Sequence, residues 1–207
     1  MEREIKNEGQ GTIFENSFLE PLTKAPHYVS ASIYTLTIGI LLYIAFRVQV
    51  VDSFWAGALI FVGAMLFWTF FEYFAHRYLF HIDEYFPDSK IARKVAYTFH
   101  GIHHEYPRDT ERIIMPPVPG LLIIGTLYLF FMAVLGNYAY IFMPGFVTGY
   151  LLYTRIHYKT HTTPVPSYLK KQYRHHALHH YKYPEKAFGI STTLWDRVFG
   201  TMPPDDD

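Results

Sequence analysis

The histidines of this chain are concentrated in short clusters, where several imidazoles could act on one ligand. Ten of its 12 histidines fall into four short clusters, HRYLFH, HGIHH, HYKTH and HALHH. The clustered residues are His76, His81, His100, His103, His104, His157, His161, His176, His179 and His180. Neutral imidazole is a strong ligand for zinc, iron, copper and nickel, and each such ion takes roughly four to six ligands. The set therefore predicts two metal ions.

The spacing within each cluster indicates which side chains can face one ion. Residues three and four apart share a face of an α-helix, so each HxxHH cluster can converge on one side, and the HYKTH pair can stack. His76 and His81 are five residues apart, which is about 140° around a regular helix. We therefore predict a helix end or turn between them, at Phe80 or His81.

Composition limits both the setting and the metal ligands. Hydrophobic residues make up 50% of the chain and charged residues only 17%, which is typical of a membrane protein. The 18 basic and 18 acidic residues balance, so the chain lacks the basic field expected for a nucleic-acid partner. Without cysteine there can be no disulfide, iron–sulfur cluster or thiolate ligand. Any metal must be held by histidine or oxygen.

Four apolar segments could position the histidines. They are residues 28–46, 54–74, 118–135 and 138–153, and the first three approach the roughly 20 residues needed to cross a bilayer. The fourth is shorter and contains Pro144 and Gly145, so it is either a kinked span or half of a helical hairpin. We predict one domain over residues 1–207, an all-α membrane protein with about four transmembrane helices. No signal peptide is expected in residues 1–27.

The distribution of Lys and Arg predicts the orientation. Of the 18 basic residues, Arg47 alone lies in the two connections that follow the first and third segments. By the positive-inside tendency, both termini and residues 75–117 and 154–207 face the cytoplasm. All four histidine clusters then lie on one side of the membrane, in a helical cytoplasmic cap that holds the dimetal centre. Either four spans or two hairpins that only dip into the membrane would permit this.

Two polar residues near the apolar segments are candidates for supporting roles. Glu72 lies four residues before His76, where a bare carboxylate is costly. We expect it to hydrogen-bond a ligand histidine and fix its tautomer, and the alternative is a helix-end charge. Tyr153 can line the site or serve in aromatic packing.

Two further candidates lie in the cap. Asp109, with Arg112 close by, is as consistent with a structural ion pair as with a functional role. His175 is four residues before His179, but the repeated HxxHH spacing favours His176 as the ligand. A role for His175 beside the ligands or the substrate stays open, and His27, isolated before the first segment, is excluded from the ligand set.

Longer strings resemble a known family. From about Phe70 to Thr201 the chain contains FEYFAHRYLFH, FHGIHHEYPRDTERIIMPPVP, HYKTH, and RHHALHHY leading to FGISTTLWDRVFGT. These strings resemble the integral-membrane fatty acid hydroxylase superfamily, most closely the fatty acid 2-hydroxylases. The resemblance implies a monooxygenase of lipid metabolism in which two histidine-ligated iron ions use dioxygen to hydroxylate an acyl chain at C2.

The resemblance also bears on cofactors and partners. Zinc alone cannot oxidise a C–H bond, although it can displace iron in preparations. Two electrons must come from outside. The chain has neither the haem-binding motif nor the length of the b-type cytochrome domain that is often fused to eukaryotic relatives, so we expect a separate donor, a b-type cytochrome or a ferredoxin with its reductase.

Other functions compete with C2 hydroxylation. Within the superfamily they are acyl desaturation and the hydroxylation of sterols, carotenoids or sphingoid bases. From a different class, a histidine-rich metal transporter is disfavoured because the apolar segments hold almost no ionisable group besides Glu72. A free acid, a thioester and an amide-linked lipid all stay open as the substrate.

Overall fold

The computed structural model describes residues 5–204, and these contain helices and no strand. The α-helices are α1 His27–Arg47, α2 Phe54–Phe74, α3 Ile82–Tyr85, α4 Lys90–Ala96, α5 Ile102–Glu105, α6 Pro117–Leu135, α7 Ala139–Thr162, α8 Lys170–Tyr181 and α9 Leu194–Val198. Two π-helical segments, Ala75–Phe80 and Tyr97–Gly101, join α2 to the turn before α3 and α4 to α5. Residues 1–4 and 205–207 of the predicted terminal regions lie outside the described part.

Three helical stretches are long and apolar enough to cross a membrane: His27–Arg47, Phe54–Phe80 and Pro117–Thr162. The third is divided at Gly136, which adopts a φ of +57° that glycine tolerates without strain. Helices α6 and α7 on either side pack together, since the Phe131 ring lies 4.6 Å from the Phe142 ring. The expected all-α membrane fold is confirmed, and the fourth apolar segment extends to a 24-residue helix that forms a hairpin with α6.

Helix α7 packs against α1, α2 and α6. It approaches α2 closely at two glycines four residues apart. A Cβ added at Gly145 would lie 2.1 Å from the Phe61 carbonyl oxygen, and one at Gly149 would lie 2.5 Å from Trp68 Cβ. Small residues at this spacing are a common means of bringing membrane helices together.

The helix ends that carry the histidines meet on one side of the bundle. The His27 ring at the start of α1 lies 4.3 Å from the Tyr158 ring near the end of α7. On α1, Tyr34 donates to the Met115 carbonyl, 2.8 Å away, just before α6. The intervening segments α3 to α5, and α8 and α9 after α7, form the cap.

Candidate metal centre

The structure brings the ten predicted histidines together in two groups of five. In each group one ring nitrogen per residue lies within 4.8 Å of the others. The first group is His76, His81, His100, His104 and His179. The second group is His103, His157, His161, His176 and His180. Nine of the ten are buried and His161 is half-buried.

The first π-helical segment explains the five-residue spacing of HRYLFH. A π-helix pairs residues five apart, so it brings His76 and His81 towards one side. Their ring centroids are 5.3 Å apart. The helix ends at Phe80 and His81 lies in a turn, at the predicted place. The angle of about 140° assumed a regular α-helix between His76 and His81, whereas residues 75–80 form the wider π-helix.

The two HxxHH clusters are each divided between the groups. Helical residues four apart differ in direction by about 40°, whereas adjacent residues differ by about 100°. Accordingly His100 and His104 lie in the first group and His103 lies in the second. In α8, likewise, His176 and His180 share the second group while His179 joins the first. The expectation that all three histidines of a cluster converge is therefore wrong.

The nitrogen positions suit metal ions. In the first group, His100 Nε2 lies 2.9 Å from Nε2 of both His76 and His104. In the second, His161 Nε2 lies 3.1 Å from His103 Nε2 and 2.8 Å from His176 Nε2. Imidazole nitrogens bind such ions at about 2.0–2.1 Å, so neighbouring ligands at right angles are about 3 Å apart.

Unpaired ring nitrogens point to the same conclusion. His81 Nε2 and both ring nitrogens of His180 are buried and have no hydrogen-bond partner in the described part of the chain. A buried polar atom without a partner costs roughly 1–3 kcal/mol. A metal ion in each group would take the lone pair of His81 Nε2 and that of one His180 ring nitrogen, so the donor set fits one ion in each group.

Burial keeps the imidazoles in their ligand form. It lowers the pKa of six histidines in the cap well below 6.5, and the neighbouring imidazoles add to the effect for each. These are His100, His103, His104, His176, His179 and His180. Since metals bind the neutral ring, the site is ready to ligate at neutral pH.

Backbone carbonyls orient two rings of the first group. His76 Nδ1 donates to the Phe188 carbonyl at 2.6 Å, and His179 Nδ1 donates to the Lys186 carbonyl at 2.7 Å. A carbonyl can only accept, so the proton is on Nδ1 and the lone pair of Nε2 faces the other histidines.

Glu72 is placed differently from the prediction. Its carboxylate accepts from the backbone amides of Ile190 and Ser191, at 2.7 and 2.8 Å, and from the Ser191 hydroxyl. The expectation of a direct hydrogen bond to a ligand histidine is wrong, because these donors bind the carboxylate and His76 Nδ1 donates to the Phe188 carbonyl instead. Tyr153 does reach a histidine, with its hydroxyl 3.4 Å from His157 Nδ1.

Asp109 and His175 take part in buried polar contacts away from both groups. Asp109 accepts from Arg112 at 2.7 Å, and Arg112 also bonds Glu20, so this ion-pair network ties the N-terminal region to the cap. His175 Nε2 lies 3.1 Å from Asp196 Oδ2, and both side chains are fully buried. The preference for His176 over His175 agrees with these positions.

Sequence reasoning missed Asp196. Its carboxylate accepts from the amides of Phe188 and Gly189 and from the Thr201 hydroxyl. The available signal was an acidic residue placed among Leu194, Trp195, Val198 and Phe199, close to the last histidine cluster.

An apolar cavity adjoins the histidines. It has a volume of about 260 Å³ and is bounded by α1, α2, α6 and α7. Ile124, Leu127, Phe146 and Val147 are among its walls within the helical bundle. The part of its lining that belongs to the metal centre comprises His76, His100, His103 and His157, from both groups of five.

Comparison with known proteins agrees with this arrangement. Residues 61–201 match the fatty acid hydroxylase family. The chain belongs to this family. It is 38% identical over 209 residues to the ceramide very long chain fatty acid hydroxylase scs7 of Schizosaccharomyces pombe, and the match covers 98% of this chain and 58% of that protein. The membership confirms the resemblance inferred from the histidine-containing strings.

Two other relatives and one solved structure extend the comparison. The mouse fatty acid 2-hydroxylase is 40% identical over 71% of this chain and 40% of its own length. The Arabidopsis thaliana dihydroceramide fatty acyl 2-hydroxylase FAH2 is 32% identical over 92% of this chain and 79% of its own length. A structure of full-length scs7p with only its hydroxylase domain visible superimposes with a TM-score of 0.81 at 32% identity, over 94% of this chain and 72% of that one. The chain thus spans roughly half the length of the yeast and mouse relatives it matches.

Proposed function

We propose that this protein hydroxylates a fatty acyl chain at C2, with dioxygen as cosubstrate and two iron ions held by the two groups of five histidines. The observation that carries the proposal is the apolar cavity, which runs between the membrane helices and is lined by histidines of both groups. An acyl tail lying between α6 and α7 has its carbonyl end, and therefore C2, next to the metal centre. The names of the fungal, mouse and plant relatives support the same reaction.

The identity of the metal follows from the reaction. Iron would supply the oxygen activation that oxidation of an unactivated C–H bond requires. Zinc would not, because the closed-shell zinc ion has no redox chemistry. All-imidazole sites also accept zinc, so zinc can substitute in preparations. Two electrons per turnover are proposed to come from a separate donor protein, a b-type cytochrome or a ferredoxin with its reductase.

The chain's own residues bind the acyl tail and orient a ligand imidazole. Burial of apolar surface stabilises the acyl tail by roughly 0.8 kcal/mol for each methylene group. Side chains such as Leu127, Phe146 and Val147 exclude water from this space. Tyr153 lines the cavity beside His157 and is proposed to orient that imidazole.

We propose that the metal centre and both termini face the cytoplasm. The start of α1 and the end of α7 lie together on the cap side, where His27 contacts Tyr158. The chain just before α6 lies there too, since the Met115 carbonyl accepts from Tyr34 of α1. Arg47, at the opposite end of α1, is the one basic residue of the two short connections. The positive-inside tendency supports this orientation.

The reaction is tested with purified protein in lipid nanodiscs, loaded with ferrous iron and supplied with a reductant, ¹⁸O₂ and acyl lipids deuterated at C2. We expect a 2-hydroxyacyl product that has gained one ¹⁸O and lost one deuterium, and no product from zinc-loaded protein. Free acid, thioester and amide-linked substrates are compared in parallel. A double bond, or hydroxylation at a different carbon or on a sterol, would overturn the proposal in favour of a related reaction.

A further inference from the structure

We propose that Asp196 and Glu72 are positioning residues for one metal ion only. They hold residues 186–191 against His76 and His179, and so determine the affinity of the first group of five for its ion. The inference rests on the proposed function only in requiring that this group binds a metal.

The side of the 186–191 segment that faces the metal centre is formed by carbonyl groups. Lys186 and Phe188 each accept from a ring Nδ1, of His179 and His76, at 2.7 and 2.6 Å. These are two of the five histidines in the first group. Movement of the segment would therefore rotate two imidazoles or leave their protons without an acceptor.

The other side of the segment is held by Asp196. Its Oδ1 accepts from the Phe188 amide at 2.9 Å, and its Oδ2 accepts from the Gly189 amide at 2.8 Å. Oδ1 also accepts from the Thr201 hydroxyl at 2.7 Å, and Oδ2 lies 3.1 Å from His175 Nε2 on α8. The side chain is fully buried, so water is not available to replace these bonds. A carboxylate, which only accepts, suits a position surrounded by donors.

Glu72 holds the next two residues of the segment. Its Oε1 accepts from both the Ile190 and Ser191 amides, and Oε2 accepts from the Ser191 hydroxyl. The carboxylate comes from α2, one turn before His76. The segment is thus fixed to the same helical stretch whose imidazole it orients.

Among residues 5–204, no comparable contact joins the second group to this segment. In the described structure, Nδ1 of His103, His176 and His180 has no hydrogen-bond partner, and Nδ1 of His157 faces Tyr153. Loosening of α8 as a whole would affect both groups, because that helix carries His179 as well as His176 and His180. Selective loss of one ion therefore distinguishes positioning by this segment from general destabilisation.

The experiment measures zinc binding to the full chain, with zinc alone as the probe. In Asp196→Asn the amide oxygen can still accept from Phe188, but the new NH₂ group faces the Gly189 N–H. We expect the affinity of one of two sites to fall about 10–100-fold, as is usual when support behind a ligand histidine is lost. Titration against a competing chelator and metal analysis after desalting report the affinity and the stoichiometry.

Two backgrounds identify the affected site. In His157→Ala, which weakens the second group, Asp196→Asn should weaken the remaining tight site by about the same 10–100-fold. In His81→Ala, which weakens the first group, it should leave the remaining tight site unchanged. Equal loss in both backgrounds, or unchanged affinity in both, would overturn the proposal.

Charge-matched variants complete the design. Glu72→Gln removes a charge but can keep its oxygen on the two amides and donate to Ser191, so both sites should stay tight. Glu72→Leu removes those acceptors and should reproduce the Asp196→Asn result. Asp109→Asn breaks a buried ion pair elsewhere in the cap and should retain two ions.

If Asp196→Asn is not recovered folded, Gly189→Ala provides the same test. A Cβ at that position would lie 2.2 Å from the Thr192 carbonyl oxygen and 2.8 Å from Asp196 Oδ2, so it displaces the segment from its carboxylate. Two tight sites in this variant would refute the proposal. Because the assay uses zinc and no substrate, its outcome does not depend on whether the 2-hydroxy product forms.

Discussion

His103 and His104 are adjacent in the chain, yet their imidazoles belong to different groups of five, with ring centroids 6.4 Å apart. One short helix, α5 Ile102–Glu105, thus contributes a ligand to each proposed ion. The same division occurs in α8. Pairs at i, i+4 serve one ion, and the additional histidine of each HxxHH cluster serves the other.

Alanine variants of these neighbours should therefore remove different ions. We expect His103→Ala and His104→Ala each to retain about one ion per chain, because each takes one ligand from one group. The double variant should retain none. Metal analysis of protein loaded with ferrous iron under anaerobic conditions gives the stoichiometry.

A pair from one group is the control for that experiment. His103→Ala combined with His157→Ala damages the second group twice and should still retain one ion. If this pair loses both ions as readily as the variant with His103 and His104 replaced, the division into two groups is incorrect.

The cavity predicts a determinant of chain length. Ile124→Trp projects a larger side chain into the space between α6 and α7, so we expect shorter acyl chains to be hydroxylated in preference to long ones. Product chain lengths from a mixture of acyl lipids, measured by mass spectrometry, provide the readout. Leu122→Trp, on the same helix at a position that is 69% exposed, should leave the distribution unchanged.

The apolar helices and the choice of ten histidines as candidate ligands could be predicted from the sequence, because both depend on local patterns. The sequence also placed a helix end near His81, where the structure has a π-helical segment followed by a turn. The division of each HxxHH cluster could not be deduced, because spacing gives the angle between side chains but not the direction from which another helix approaches. Glu72 was misassigned and Asp196 was missed because each carboxylate binds two backbone amides of a distant segment, which no residue type marks.

The close approach of α7 to α2 predicts strong intolerance at Gly145. A Cβ there would meet the Phe61 backbone carbonyl, which cannot move without displacing α2. Overpacking of this kind costs roughly 1–3 kcal/mol, so Gly145→Ala should lower the thermal unfolding midpoint in detergent. Gly63→Ala is the matched control, since nothing lies within 4 Å of its added Cβ, and it should be neutral or slightly stabilising.

The six buried cap histidines predict how stability depends on pH. Burial lowers the pKa of each well below 6.5 in the folded protein, so the unfolded chain binds more protons between those folded values and about 6.5. Their contribution is therefore fully present above about pH 6.5 and is lost as the pH falls below it. Each such group changes the free energy of unfolding by up to about 1.4 kcal/mol per pH unit.

For metal-free protein we therefore expect the thermal unfolding midpoint to be constant from pH 8 to 7 and to fall steeply from pH 6.5 to 5. Added zinc should raise the midpoint at pH 7 and lose this effect towards pH 5, because protons and metal compete for the same lone pairs. His180→Phe removes one titrating group that has no hydrogen-bond partner among the described residues, and it keeps the position aromatic, so it should make the acid limb shallower. An unchanged slope would mean that His180 is not held neutral by burial, and a midpoint insensitive to pH would contradict the buried position of the whole cluster.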